Sequence, residues 1–406
     1  MARLVWSKII VILLTVWFWV DWVPYYVILK TFLQDVEVSD FHVFYMAGKS
    51  WLSGLNPYVN LQAHTSFVYP PTSLPFFGIF SIFNFELAAQ LWTLMYLSFF
   101  ATALLFLALT VRGERRLVFV FVATVLFLTS FPVLFLMQLS QGIELIIVSL
   151  SILSLVAERT EHLFASAVLL AVGTLLKGPA VFLLIYFVIF RRDLRYLANF
   201  LVSMLGIVGI SLLVVPVKLY WYFMNILPTL YAEYSLVDSQ SIVRLFYLVG
   251  LSKPALEAIS VAGFVLLAVF AFYVNQSKWA DSFGRKMFRA DAMFLLNGLV
   301  ILFLSPRSLI YPYVWIILPV ALFLSALLVE DVKLAYLALI GFATCFLNSS
   351  YVISVLSLVI YPLILPTFLI GNLIMTLSII PIYLCPNAIF HVKNQLTRNR
   401  HQTLRS

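Results

Sequence analysis

Apolar residues run along this chain in long, unbroken blocks separated by short polar connectors. The stretches 117–136 and 196–216 carry no charged side chain at all. The blocks do not alternate apolar with polar positions, as the strands of a membrane barrel would. A helix needs about 20 apolar residues to cross a bilayer, fewer where it is short or re-entrant. This pattern predicts an all-α polytopic membrane protein with about 12 transmembrane helices (11–13). The expected spans are 9–29, 88–110, 117–136, 143–157, 163–176, 180–190, 196–216, 254–274, 292–304, 312–328, 334–354 and 362–385. The fourth to sixth are short. The stretch 334–385 holds two helices or three; two keep Lys393, Arg398, Arg400 and Arg405 on the cytoplasmic side. The first block follows Arg3 and Lys8, but Asp21 and Pro24 lie in its second half and no small-residue cleavage site appears. It therefore reads as a retained first helix with its N-terminus inside.

Composition sharpens this. Hydrophobic residues make up 63% of the 406 and charged residues only 10%, against roughly 25% charged in soluble proteins. Mean hydropathy is +1.06. A soluble domain, a disordered chain and a disulfide scaffold are excluded. Cys345 and Cys385 both lie in apolar runs and form no metal-ligand spacing. The net charge of +8 fits basic residues in cytoplasmic loops rather than a nucleic-acid surface. In the orientation that best satisfies this rule, seven positive residues fall outside: Lys30, Lys49, Lys177, Lys218, Arg244, Lys253 and Arg307. The other 18 of 25 Lys and Arg lie inside. One integral domain is expected over 1–390, followed by a basic cytoplasmic tail, 391–406. The stretch 275–291 reads as a basic connector near the headgroups. The longest hydrophilic stretches, 30–87 and 217–253, both fall outside, so the chemistry is expected on the outer face.

The first outer loop opens with Asp35, Glu37, Ser39 and Asp40. Ser39 is a plausible N-cap for a short helix over 40–53 that Gly54 would end. Asp40 would then sit in the first turn, where the helix dipole favours a carboxylate. By pattern alone, Asp40 is either a helix-terminal charge or a general base. Asp35 and Glu37 read as residues that solvate the loop or bind a cation, and His42 and His64 as interfacial or loop histidines. No Asp-x-Asp, P-loop or nucleotide-sugar fingerprint is present. No metal and no cofactor are expected.

The segment Asp40-Phe-His-Val-Phe-Tyr45, then Gly54-Leu-Asn-Pro-Tyr58 and Phe67-Val-Tyr-Pro-Pro71, resembles glycosyltransferase family 87. These are polyprenol-phosphate-mannose-dependent mannosyltransferases of the GT-C superfamily. Further similarities follow in order: Ser140-Gln-Gly-Ile-Glu144, Leu176-Lys-Gly-Pro179, Ser239-Gln-Ser241 and Leu304-Ser-Pro-Arg-Ser308. Two departures are visible: Glu144 replaces an Asn, and Tyr311 and Pro312 occupy the places of the family's histidines. The resemblance implies a GT-C-like fold, a polyprenyl-phosphate-linked sugar donor and a lipid-linked or glycan acceptor. It implies Asp40 as base for an inverting single displacement. A leaving phosphate calls for cations, for which Lys177, Arg244 and Arg307 are candidates; the alternative is that each snorkels to headgroups. His42, Tyr45, Tyr58, Tyr69, Gln141, Gln240 and Tyr311 are candidate substrate contacts. Partners would be these two substrates and membrane lipids, and the place the plasma (inner) membrane of a bacterium. A transporter or flippase would instead show mid-helix charges and internal repeats, and a polysaccharide polymerase or ligase a large outer loop late in the chain.

Overall fold

A computed structural model describes residues 40–59, 66–130, 132–133, 136, 142–233, 241–242, 246, 250–276, 283–304, 311–329, 332–348, 367–384 and 389. Among these the architecture is all-helical, without strands. The helices are α1 (Asp40–Leu52), α2 (Leu74–Ser81), α3 (Phe85–Thr110), α4 (Glu114–Thr129), α5 (Ile143–Arg159), α6 (Leu163–Leu176) and α7 (Leu194–Leu212). They continue as α8 (Val217–Glu233), α9 (Lys253–Gln276), α10 (Phe283–Leu304), α11 (Ile317–Val329), α12 (Leu334–Asn348) and α13 (Thr367–Leu384).

Helix boundaries follow local chemistry. Asn84 caps α3 by accepting from the Leu87 N–H at 2.9 Å, and Asp193 caps α7 through the Arg195 N–H at 2.9 Å. Gly54 follows α1 with φ of +74°, a conformation that costs glycine little. The predicted short span at 180–190 is a 3-10 turn over Gly178–Leu183 followed by a wider π-helical turn over Ile185–Phe190.

The core is centred on α5. Nearly every residue of that helix is buried, because α3 packs on one flank and α6 on another. Seventeen residues at 1.5 Å each give it a length of about 25 Å. Among the described residues, four segments are long and apolar enough to cross a membrane: Phe85–Thr110, Leu194–Leu212, Pro254–Tyr273 and Pro312–Val329. The first three are mostly unburied, exposing Leu94, Leu105, Leu201, Leu205, Val261 and Leu266. The fourth is 78% buried and belongs to the core. Outward-facing leucines and valines on such helices fit a lipid solvent.

The stretch read as a basic connector, 275–291, is corrected by the structure: α10 begins at Phe283, nine residues before the expected span. Asp291 is therefore inside a helix and fully buried. Both of its oxygens are taken, Oδ2 by Arg115 at 2.6 Å and Oδ1 by Arg159. Arg115 also donates to the Leu322 carbonyl at 2.8 Å and to Ser325 Oγ at 3.3 Å. One carboxylate thus ties α4, α5, α10 and α11 together. Nearby, Arg191 Nε donates to Glu158 Oε1 at 2.6 Å. Arg115, Arg159 and Arg191, three of the 18 basic residues expected on the inside, are ion-paired in the structure.

Candidate functional site

At the other end of α5 residues of five sequence motifs converge. Helix α1 is held by an aromatic cluster: the Phe44 ring stacks on Phe77 at 4.6 Å and Phe41 on Trp92 at 5.3 Å. Gly48 lets the helix lie directly on α2, since a Cβ there would meet the Gly78 nitrogen at 2.9 Å. The Tyr45 hydroxyl donates to the Phe83 carbonyl at 2.9 Å, and Ser81 Oγ donates to the Tyr45 carbonyl at 2.7 Å. This clamp fixes the direction in which the first turn presents Asp40, which is half-buried there. The His42 ring meets Phe85 edge-on at 5.3 Å. Its Nδ1 is buried without a hydrogen-bond partner among the described residues.

The Gly-x-x-Pro-Tyr and Tyr-Pro-Pro motifs are joined by one hydrogen bond. The Tyr58 hydroxyl donates to the Tyr69 carbonyl at 2.8 Å. Burial pushes the Tyr58 phenol well above its ordinary range, so it stays protonated and remains a donor. Asn56 Oδ1 accepts from the Tyr58 N–H at 3.0 Å, closing the turn. Phe44 of α1 meets the Tyr69 ring edge-on at 5.0 Å. One turn further, Thr72 Oγ1 donates to the Leu175 carbonyl at 2.9 Å, which docks the Tyr-Pro-Pro segment onto the end of α6.

Lys177 follows immediately. Its Nζ lies 5.8 Å from the centre of the Tyr69 ring and pairs with Glu144 Oε1. Trp315 Nε1 donates to the other oxygen, Oε2, at 2.7 Å. Glu144 is 1% exposed, and a charge buried that deeply requires such partners. The Lys177 side chain is 23% exposed and so stays within reach of an anion. Gly142 lets α5 start here: a Cβ on it would come within 1.9 Å of the Tyr96 ring.

Asp40, Tyr69 and Lys177 thus belong to one contiguous assembly, linked through Phe44. Tyr45 and Tyr58 belong to it as well, with their hydroxyl protons committed to backbone carbonyls. Arg244, Arg307, Gln141 and Gln240 lie outside the described residues, as does the Tyr311 side chain. Two members carry no site signal in the sequence: Glu144 reads there as a departure from the family motif, and Trp315 lies within an apolar span. Their partners lie 33 and 171 residues away along the chain. Glu144 and Arg159, at opposite ends of α5, are not paired with each other. Among the described residues, no three His, Cys, Asp or Glu side chains gather as a metal site.

Residues 67–306, more than half of the chain, match the family model for glycosyltransferase family 87. The chain belongs to that family. Membership makes it a membrane glycosyltransferase, with a sugar donor and an acceptor as substrates. The matched stretch contains Tyr69, Glu144 and Lys177 and begins after α1, the helix that carries Asp40. No curated protein matches the chain.

Proposed function

We propose that this glycosyltransferase moves a sugar, mannose by the family resemblance, from a polyprenyl-phosphate donor to a lipid-linked or glycan acceptor. In this reading about twelve helices of a GT-C-like domain span a bacterial inner membrane, with the site on the outer face. The observation that carries the reading is the convergence of the Asp40 helix, Tyr69 and Lys177 at one end of α5.

Asp40 accepts the proton of the acceptor hydroxyl. The freed oxygen attacks the anomeric carbon and inverts it. The bond from that carbon to the phosphate oxygen breaks, and its electron pair leaves on polyprenyl phosphate. A positioned base contributes typically 100-fold to 10,000-fold. Charge grows on the leaving phosphate, which fixed cations stabilise. Lys177 serves there, with Arg244 and Arg307 as further phosphate contacts. Glu144 and Trp315 hold the ammonium in place beside Tyr69. The test is to incubate the purified full-length chain with radiolabelled polyprenyl-phosphate mannose and a panel of lipid acceptors. Label moving to an acceptor in wild type and not in Asp40→Asn supports the reading. Equal transfer by both, or transfer from a nucleotide sugar instead, overturns it.

A further inference from the structure

Lys177 is a single extended residue, with φ of −157° and ψ of 113°, between the end of α6 and the 3-10 turn over Gly178–Leu183. The direction of its side chain therefore follows the relative placement of those two segments. The α6 side is fixed. The Lys177 N–H donates to the Gly173 carbonyl at 3.0 Å, and Thr72 holds the Leu175 carbonyl. The other side is a turn of six residues, about 12 Å long at 2.0 Å per residue. A 3-10 turn bonds its own carbonyls with poor geometry, so neighbouring side chains must hold it where water is scarce.

Asn297 does so. It stands in the apolar half of α10, between Leu296 and Gly298, and is 1% exposed. Its Nδ2 donates to the Phe182 carbonyl at 3.1 Å, one residue before the turn ends. That carbonyl otherwise meets the Leu184 N–H, two residues on. The Phe182 ring stacks on Phe264 of α9 at 3.9 Å and 2°, so an amide and a ring grip the same residue. Asn297 Oδ1 is buried without a hydrogen-bond partner. An apolar side chain of that size would avoid the cost of burying it; what the amide adds is the bond to Phe182. The next residue, Gly298, adjoins the other side of the ion-pair site. A Cβ on it would touch Ile316 at 3.5 Å, and Ile316 is the neighbour of Trp315. Two successive residues of α10 thus adjoin both segments that supply partners to Glu144.

We propose that Asn297 is a positioning residue for the donor phosphate. It holds the Gly178–Leu183 turn so that Lys177 keeps its ammonium between Glu144 and Tyr69, open to a phosphate. Asn297 touches neither substrate and acts through Lys177. A lysine on a flexible stem binds phosphate as a point charge, so its reach depends on how firmly the backbone beneath it is held. The inference rests on the phosphate role of Lys177 in the glycosyltransferase reading.

The experiment uses the full chain in neutral detergent. Initial rates are measured with polyprenyl-phosphate mannose, varying donor and acceptor separately. Binding of citronellyl phosphate, a short polyprenyl phosphate without a sugar, is measured by titration calorimetry. Asn297→Leu should raise the donor KM and weaken citronellyl phosphate binding, each about fivefold. Its kcat and acceptor KM should move less than about twofold. In a Lys177→Gln chain the same substitution should change the donor KM less than about twofold, because the group it acts through is gone. Asn297→Ala gives the same reading where Asn297→Leu does not fold. A lowered melting temperature with an unchanged donor KM marks a merely structural residue and overturns the inference. So does a fivefold effect that persists in the Lys177→Gln chain. If Lys177→Gln raises the donor KM and neither Asn297 variant does, this inference alone falls. A chain that transfers no sugar, yet binds citronellyl phosphate more weakly in both Lys177→Gln and Asn297→Leu, removes the catalytic reading and keeps the inference.

Discussion

Glu144 and Asp291 are both buried carboxylates, and they meet opposite ends of the same helix, α5. Their surroundings differ. Asp291 receives two arginines from two other helices, and Arg115 spends further donors on Ser325 and the Leu322 carbonyl. Both carboxylate oxygens are taken, and these contacts fasten four helices. Glu144 receives one lysine and one indole, and its lysine remains partly exposed beside an aromatic ring. A planar guanidinium on a saturated carboxylate makes a rigid tie, whereas an ammonium on a flexible stem can turn toward a second anion. The Asp291 end is a saturated tie between helices, and the Glu144 end is the one the proposed function assigns to chemistry.

The largest effect should come from breaking the tie. Asp291→Ala strands two largely buried arginines, and loss of one partner of such a pair costs about 3–5 kcal/mol. Denaturant unfolding of the full chain should show that loss, and a change under about 1 kcal/mol would end the contrast between the two carboxylates. Next is Gly142→Ala. The new methyl group runs into the Tyr96 ring, and such overpacking costs about 1–3 kcal/mol; adding Tyr96→Ala should recover part of that. Lys177→Gln should raise the KM for the polyprenyl-phosphate donor about tenfold, about 1.4 kcal/mol, while lowering stability less than Asp291→Ala does. The smallest effect is expected from Tyr58→Phe, which deletes one hydrogen bond to Tyr69 worth about 1 kcal/mol. Its measured signature is a modest drop in melting temperature with transfer retained.

Much of the scaffold was legible because lipid-facing helices write themselves as apolar runs. The predicted spans at 88–110, 163–176 and 254–274 lie on α3, α6 and α9. Helix α1 was legible from Ser39 as an N-cap candidate and Gly54 as its end. The start of α10 was missed because Arg285, Lys286, Arg289 and Asp291 read as a polar connector. The partners that let Asp291 enter the core, Arg115 and Arg159, stand 176 and 132 residues earlier. Hydrophobic periodicity records which face of a helix is buried but not which distant charge meets it. For the same reason the sequence pointed to Lys177 as a phosphate candidate without disclosing that Glu144 and Trp315 hold it. The Tyr-Pro-Pro motif was visible as a motif. Its role as the strap between α1 and α6 needed the Tyr58, Phe44 and Thr72 contacts.

The central claim is that the α1 end of the bundle performs sugar transfer with Asp40 as its base. It is tested most directly by comparing transfer rates of wild type and Asp40→Asn with a polyprenyl-phosphate sugar donor, while following thermal unfolding of both. The account predicts at least a hundredfold loss of kcat with an unchanged melting temperature. A variant that transfers sugar at the wild-type rate would contradict it.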